Sequence, residues 1–134
     1  MNLLLDTHIA IWVLNDDEAL SERARELILD PNNVIYYSPV SVWEVMLKHE
    51  RHPDNIPFDE TDFSEACKEA GFIPLSLSDR HVLAVRTLSR PAGCKAHSDP
   101  FDRLLIAQAK ADNLSLMTHD ALIPDYGEEC VISV

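Results

Sequence analysis

Short apolar runs alternate with segments of helical spacing along the chain. Asn2–Leu5 is apolar and closes on Asp6, which predicts a buried strand. Thr7–Leu14 follows as a helix, and a polar break covers residues 15–18. Ser21 is placed to cap a helix through Leu29, with Ala24, Leu27 and Ile28 at helical spacing and a stop near Pro31. Val34–Tyr37, β-branched and aromatic, predicts a second strand. Ser38-Pro39 then opens a helix to about His49, because proline suits a first helical turn. Residues 52–57 form a polar, proline-bearing loop. Asp59 or Thr61 opens a helix that Gly71 ends. Residues 72–75 are a third strand, and Ser78-Asp79 begins a helix to about Leu88. A loop over residues 89–98 carries Pro91 and Gly93. Asp99-Pro100 starts a further helix that stops near Asn113, and residues 114–118 and 131–134 supply a fourth and a fifth strand. Such alternation predicts an α/β fold: a mostly parallel five-stranded sheet covered on both faces, with ligands gathering outside the carboxyl ends of its strands.

The 134 residues suit a single domain, 1–134, and 46% hydrophobic with 25% charged residues is ordinary for a soluble protein. No apolar run is long enough to cross a bilayer, so no membrane association is expected. MNLLLD reaches an acid after five apolar or neutral residues and lacks a basic start, which argues against a signal peptide. Cys67, Cys94 and Cys130 are odd in number and widely spaced, a poor disulfide or zinc framework that fits a reducing cytoplasm. The formal charge of −12 disfavours nucleic-acid binding by a general basic surface. It leaves solubility, cation binding or a basic partner, so the placement of the acids matters more than their number.

Four acids stand unusually close to apolar neighbours. Asp6 follows Leu3-Leu4-Leu5, and Glu44 is the only charge within Val42-Trp43-Glu44-Val45-Met46-Leu47. Asp102 precedes Leu104-Leu105-Ile106-Ala107, and Asp120 follows Leu116-Met117-Thr118. Burying a carboxylate is costly unless it is paired or coordinated, and several together repel unless a cation neutralises them. A hard cation with oxygen ligands, Mg²⁺ or Mn²⁺, answers that problem. Each acid also has a plainer role. Asp6 reads as a cap for the helix at Thr7, and Glu44 as the partner of Ser41 in a capping box. Asp99 reads as a cap with Asp102 favoured in the first turn, and Asp120 as a turn residue.

In order and spacing, LLLDTHIAIWVL, SPVSVWEVMLK, HSDPFDRLLIAQA and LMTHD resemble the PIN-domain nucleases, and more narrowly the VapC-type toxins of toxin–antitoxin pairs. The resemblance runs from about Leu3 to Val134, and DPFDRLLIAQA is its most specific piece. It implies a Rossmann-like, three-layer α/β/α fold and metal-dependent endoribonuclease activity. It also implies a cognate antitoxin, whose amphipathic or arginine-bearing segment covers the acidic site, and a homodimer. Carried over residue by residue, the family's acids fall on Asp6, Glu44, Asp102 and Asp120. Asp99 is an additional candidate for a second metal or for outer contacts, since residues three apart share a helix face. The implied chemistry is hydrolysis of an RNA phosphodiester by metal-activated water, with no serine or cysteine nucleophile.

Other residues near these motifs stay open at this level. Thr7 and Thr118 are placed to orient carboxylates or simply to bond at strand ends. His8, His97 and His119 are candidate acids or ordinary polar residues. Lys48 and Arg103 are candidate phosphate contacts or helix-surface ion-pair partners, as is a stripe of Arg80, Arg86 and Arg90. Trp12 and Trp43 are expected in the core or on a dimer face in preference to stacking on bases. Two other classes compete: a Mg²⁺-binding receiver-like signalling domain and a catalytically idle interaction module. A receiver would want paired acids after the first strand and a late lysine, whereas Asp6 precedes Thr-His and no lysine follows Lys110.

Overall fold

In the computed structural model, which describes residues 1–94 and 99–134, five parallel strands form one sheet in the order β3-β2-β1-β4-β5. The strands are β1 (Asn2–Leu5), β2 (Val34–Tyr37), β3 (Ile73–Pro74), β4 (Ser115–Thr118) and β5 (Val131–Ser133). The helices are α1 (Thr7–Leu14), α2 (Glu22–Leu29), α3 (Pro39–Arg51), α4 (Glu60–Glu69), α5 (Asp79–Ala84) and α6 (Pro100–Asp112). The chain steps outward from β1 to β2 and β3, then returns to lay β4 against the other edge of β1, pairing Leu4 with Leu116 and Leu5 with Met117. That reversal opens a crevice at the carboxyl ends of β1 and β4, where ligands of open α/β sheets bind.

Alternation along the strands divides the core in two. Leu3, Leu5, Ile35, Tyr37 and Met117 face one layer, where Ile9 and Ala10 of α1, Ala24 and Ile28 of α2, and Phe63 and Cys67 of α4 cover them. Leu4, Tyr36 and Leu116 face the other, against Leu105, Ile106 and Ala109 of α6. Helix α3 serves both, giving Val45 to the first and Val40 to the second. The architecture is thus the expected three-layer α/β/α. Leu3, Leu4 and Leu5 are fully buried in the central strand, so truncating one to alanine costs about 2–5 kcal/mol.

Most element ends follow local chemistry. Ser21 Oγ accepts from Ala24 N, Asp59 from Asp62 N and Ser38 Oγ from Val40 N. Asp59, rather than Thr61, is therefore the cap of α4. Asn113 ends α6 in the left-handed conformation at φ 57°, which asparagine tolerates better than most residues. Three expectations are corrected. The loop over 52–57 contains a 3-10 turn, Pro53–Asn55, and the helix expected to Leu88 is α-helical only to Ala84 before tightening to 3-10 over Val85–Thr87. The third strand shrinks to Ile73–Pro74, because an edge position with one neighbour supports little pairing. No helix among the described residues is long and apolar enough to cross a membrane.

Candidate functional site

Four separate elements bring acids to the crevice. Asp6 leaves β1 and caps α1, accepting from Thr7 N at 2.7 Å through Oδ1 and from the Thr118 hydroxyl at 2.6 Å through Oδ2. Its capping role and its place in an acidic centre are both real. Thr118, the last residue of β4, also accepts from Asp120 N at 3.0 Å, so one buried hydroxyl ties the two aspartates together across the switch point. Asp120 Oδ1 accepts from Leu122 N at 2.7 Å, the side-chain turn that its surroundings suggest. Asp6 and Asp120 line an open cleft of about 200 Å³ with His8, Trp12 and His119.

Glu44 comes from α3 and is buried. The capping-box reading fails, because α3 begins at Pro39 with Ser38 as its cap, leaving Glu44 well inside the helix. Ser41 instead accepts from the Thr7 hydroxyl at 2.8 Å, which pins α3 to α1. Glu44 Oε2 pairs with Lys48 Nζ at 3.0 Å, one turn along α3. Its Oε1 is buried and accepts no hydrogen bond among the described residues. Lys48 Nζ also lies 3.2 Å from His8 Nε2.

Asp99 and Asp102 separate clearly. Asp99 caps α6, accepting through Oδ1 from Phe101 N at 2.9 Å and Asp102 N at 3.3 Å. Asp102, in the first turn, is buried. Burial, joined by the charges of Asp6, Asp99, Glu44 and Asp120, raises its carboxyl to about 8. The charges of all the candidate acids therefore meet at Asp102. Asp6 is raised by the same burial and by Glu44, opposed by its hydrogen bond from Thr118. Among the described residues, no three histidine, cysteine, aspartate or glutamate side chains are already gathered into a ligand set for an ion. The acids are held apart on local partners: Lys48, Leu122 N and the α6 cap. Even so, the hydrogen-bond-free Glu44 Oε1 and a centre rich in carboxylate oxygens and poor in sulfur fit a hard divalent cation.

The sequence is matched over residues 3–129 by the family model for the PIN domain. This chain belongs to the PIN domain family. No curated protein sequence matches it. Among solved structures, VapBC2 from Rickettsia felis bound to a DNA fragment from its promoter is similar at 15% identity, with a TM-score of 0.63 over 100% of this chain and 98% of that one. FitAcB from Neisseria gonorrhoeae is similar at 18% identity, with a TM-score of 0.59 over 98% and 96%. VapBC-1 from nontypeable Haemophilus influenzae is similar at 18%, with 0.54 over 90% and 87%. At such identities the likeness speaks for the fold. PIN membership removes the receiver-like alternative.

The outlying candidates fare unevenly. Arg80, Arg86 and Arg90 do not form a stripe: Arg80 pairs with Asp112, and Arg90 pairs with Asp125 and lies over the Tyr126 ring. Arg86 and Arg103 line a separate hollow with Val82 and Val85. Trp12 is half-buried against the core, whereas Trp43 is 54% exposed and meets only the edge of Phe101 among aromatic rings described, which corrects a core placement for it. His119 Nδ1 lies 2.6 Å from Val134 O, and His97 lies outside the described residues. All three cysteines are free. Sequence reasoning passed over the pairing of Ser38 with Gln108, whose buried side chains bond each other and fix α3 against α6. A lone glutamine in the apolar face of LLIAQA was the available signal.

Proposed function

We propose that this PIN domain is a Mg²⁺- or Mn²⁺-dependent endoribonuclease and the toxin of a toxin–antitoxin pair, with the whole chain, 1–134, acting as one domain. Asp6, Glu44, Asp102 and Asp120 would hold the cation, and Asp99 would serve a second ion or the outer contacts. The observation that carries this reading is the convergence of the charges of Asp6, Glu44, Asp99 and Asp120 on the buried Asp102, beside a Glu44 oxygen that is buried and accepts no hydrogen bond among the described residues. When bound, the cation would supply the Lewis acidity that activates water and stabilises the leaving oxygen of the phosphodiester. The chain's own contribution is positioning. Thr118 orients Asp6 and anchors Asp120, the Thr7–Ser41 bond seats Glu44, and the α6 cap presents Asp102. Lys48, between Glu44 and His8, is placed to balance charge and to meet an RNA phosphate.

The VapBC assemblies among the similar structures support a cognate antitoxin as partner. Exposed Trp43, Val82 and Leu83 support a homodimer face. The acidic chain, with its free thiols, is read as a cytoplasmic protein. Expressing the protein without its antitoxin and mapping RNA 5′ ends tests the activity. New, discrete 5′ ends are expected for the wild type and none for Asp120→Asn. Identical maps for both proteins would refute the nuclease.

A further inference from the structure

A groove of about 350 Å³ runs beside the acidic cleft and shares His8 and Trp12 with it. Trp12 stands between the two, its ring centre 5.8 Å from that of His8 and 5.5 Å from that of His119. Lys48 lies at the seam, bonded on one side to Glu44 of the acidic centre and on the other to His8. Asn15, Asp17 and Asn55 also line the groove, beside the apolar Ile11 and Ile56.

We propose that this groove is a nucleobase subsite, in which Trp12 stacks one unpaired base of the RNA next to the phosphate presented to the acids. The choice of RNA rests on the nuclease reading above. A tryptophan face accepts any base, and such stacking is worth about 1–3 kcal/mol per base. Single-stranded RNA offers splayed bases whose edges take amide and carboxylate partners, while duplex RNA keeps its bases within the stack. Asn15, Asp17 and Asn55 are suited to such an edge, and Lys48 to the linking phosphate. The volume falls in the usual range of about 300–1,000 Å³ for small-ligand sites. Stacking also answers the charge problem: a chain of net charge −12 holds its substrate through a π-face in place of a basic surface.

The test uses Trp43→Phe, which leaves Trp12 as the only tryptophan. Binding of a short single-stranded oligoribonucleotide is followed in Ca²⁺ by anisotropy and by Trp12 fluorescence, with the RNA checked intact afterwards. Saturable quenching by the single strand, and none by a duplex of the same sequence, is expected. In the otherwise wild-type chain, Trp12→Leu should weaken single-strand binding and raise KM about tenfold, the equivalent of ~1.4 kcal/mol. Trp12→Phe should keep most of the affinity, and Mn²⁺ binding should hold in both. Binding without quenching, equal quenching by duplex, or wild-type affinity in a folded Trp12→Leu protein would each overturn the proposal. So would failure to bind RNA, or quenching by a basic amphipathic peptide but not by RNA, which would assign the groove to a protein partner. Failure of the nuclease reading is read separately, as a wild type that neither binds Mn²⁺ nor cleaves RNA.

Discussion

Asp102 and Asp112 occupy opposite ends of α6, and the helix dipole favours a carboxylate at the first and opposes one at the second. Their surroundings reverse that order. Burial pushes Asp112 up, but hydrogen bonds and charges from His81 and Arg80 hold it below the ordinary value. His81 is itself buried, accepting from Ser78 N at 2.9 Å through Nδ1 and meeting Asp112 Oδ2 at 2.9 Å through Nε2, while Arg80 also donates to Ala111 O. That end is a closed latch between α5 and α6. At the other end, Asp102 is raised to about 8 because it is buried and its charged neighbours are further acids. A carboxylate with cationic partners stabilises the fold. One buried among carboxylates is held protonated instead, and the proposed cation would take the place of that proton.

The largest effect that would break this comparison is on catalysis. Asp102→Asn should lower RNA cleavage by at least ~100-fold, since it removes one oxygen donor from the centre, and should melt no lower than the wild type in EDTA. Asp112→Asn should do the reverse. It should keep cleavage within a few-fold while costing about 2 kcal/mol in urea unfolding, the scale of losing charge-assisted hydrogen bonds to a half-exposed arginine and a buried histidine. Equal activity in the two variants would erase the distinction.

A smaller effect lies in pH. An unfolded aspartate titrates near 3.9, so between that value and about 8 the metal-free native protein holds a proton on Asp102 that the unfolded chain releases. Stability in EDTA should therefore fall as pH rises through this window, by up to ~1.4 kcal/mol per unit from this group. Asp112 acts oppositely: its contribution is present above the unfolded value and is lost as pH falls through its lowered native one. Thermal melts of wild type and Asp102→Asn across pH 5–8 read the difference, with a flatter profile expected for the variant. Parallel profiles would count against the crowded-acid account.

The two ends also differ in how far they were legible in the chain itself. The strand leucines, the caps at Ser21 and Ser38 and the acids Asp6 and Glu44 all announce themselves by local pattern, because period and neighbouring polarity decide them. The division of labour between Asp99 and Asp102 does not, since residues three apart on a helix share a face and only tertiary packing decides which caps and which is crowded. The Ser38–Gln108 and Thr7–Ser41 bonds join residues distant in sequence, and the His81–Asp112 latch depends on how α5 crosses α6. Trp43 reads as a core or dimer-face residue by composition yet lies half on the surface, with the edge of Phe101 from α6 as its aromatic neighbour among the described residues.

The central claim, that α6 offers one acid to a cation and keeps the other for the fold, is tested most directly by Mn²⁺ titration calorimetry on the wild type, Asp102→Asn and Asp112→Asn. The account predicts binding by the wild type and by Asp112→Asn with similar affinity, and binding weakened at least tenfold in Asp102→Asn. A wild type that takes up no divalent ion, or an Asp102→Asn protein that binds Mn²⁺ as tightly as the wild type, would contradict it.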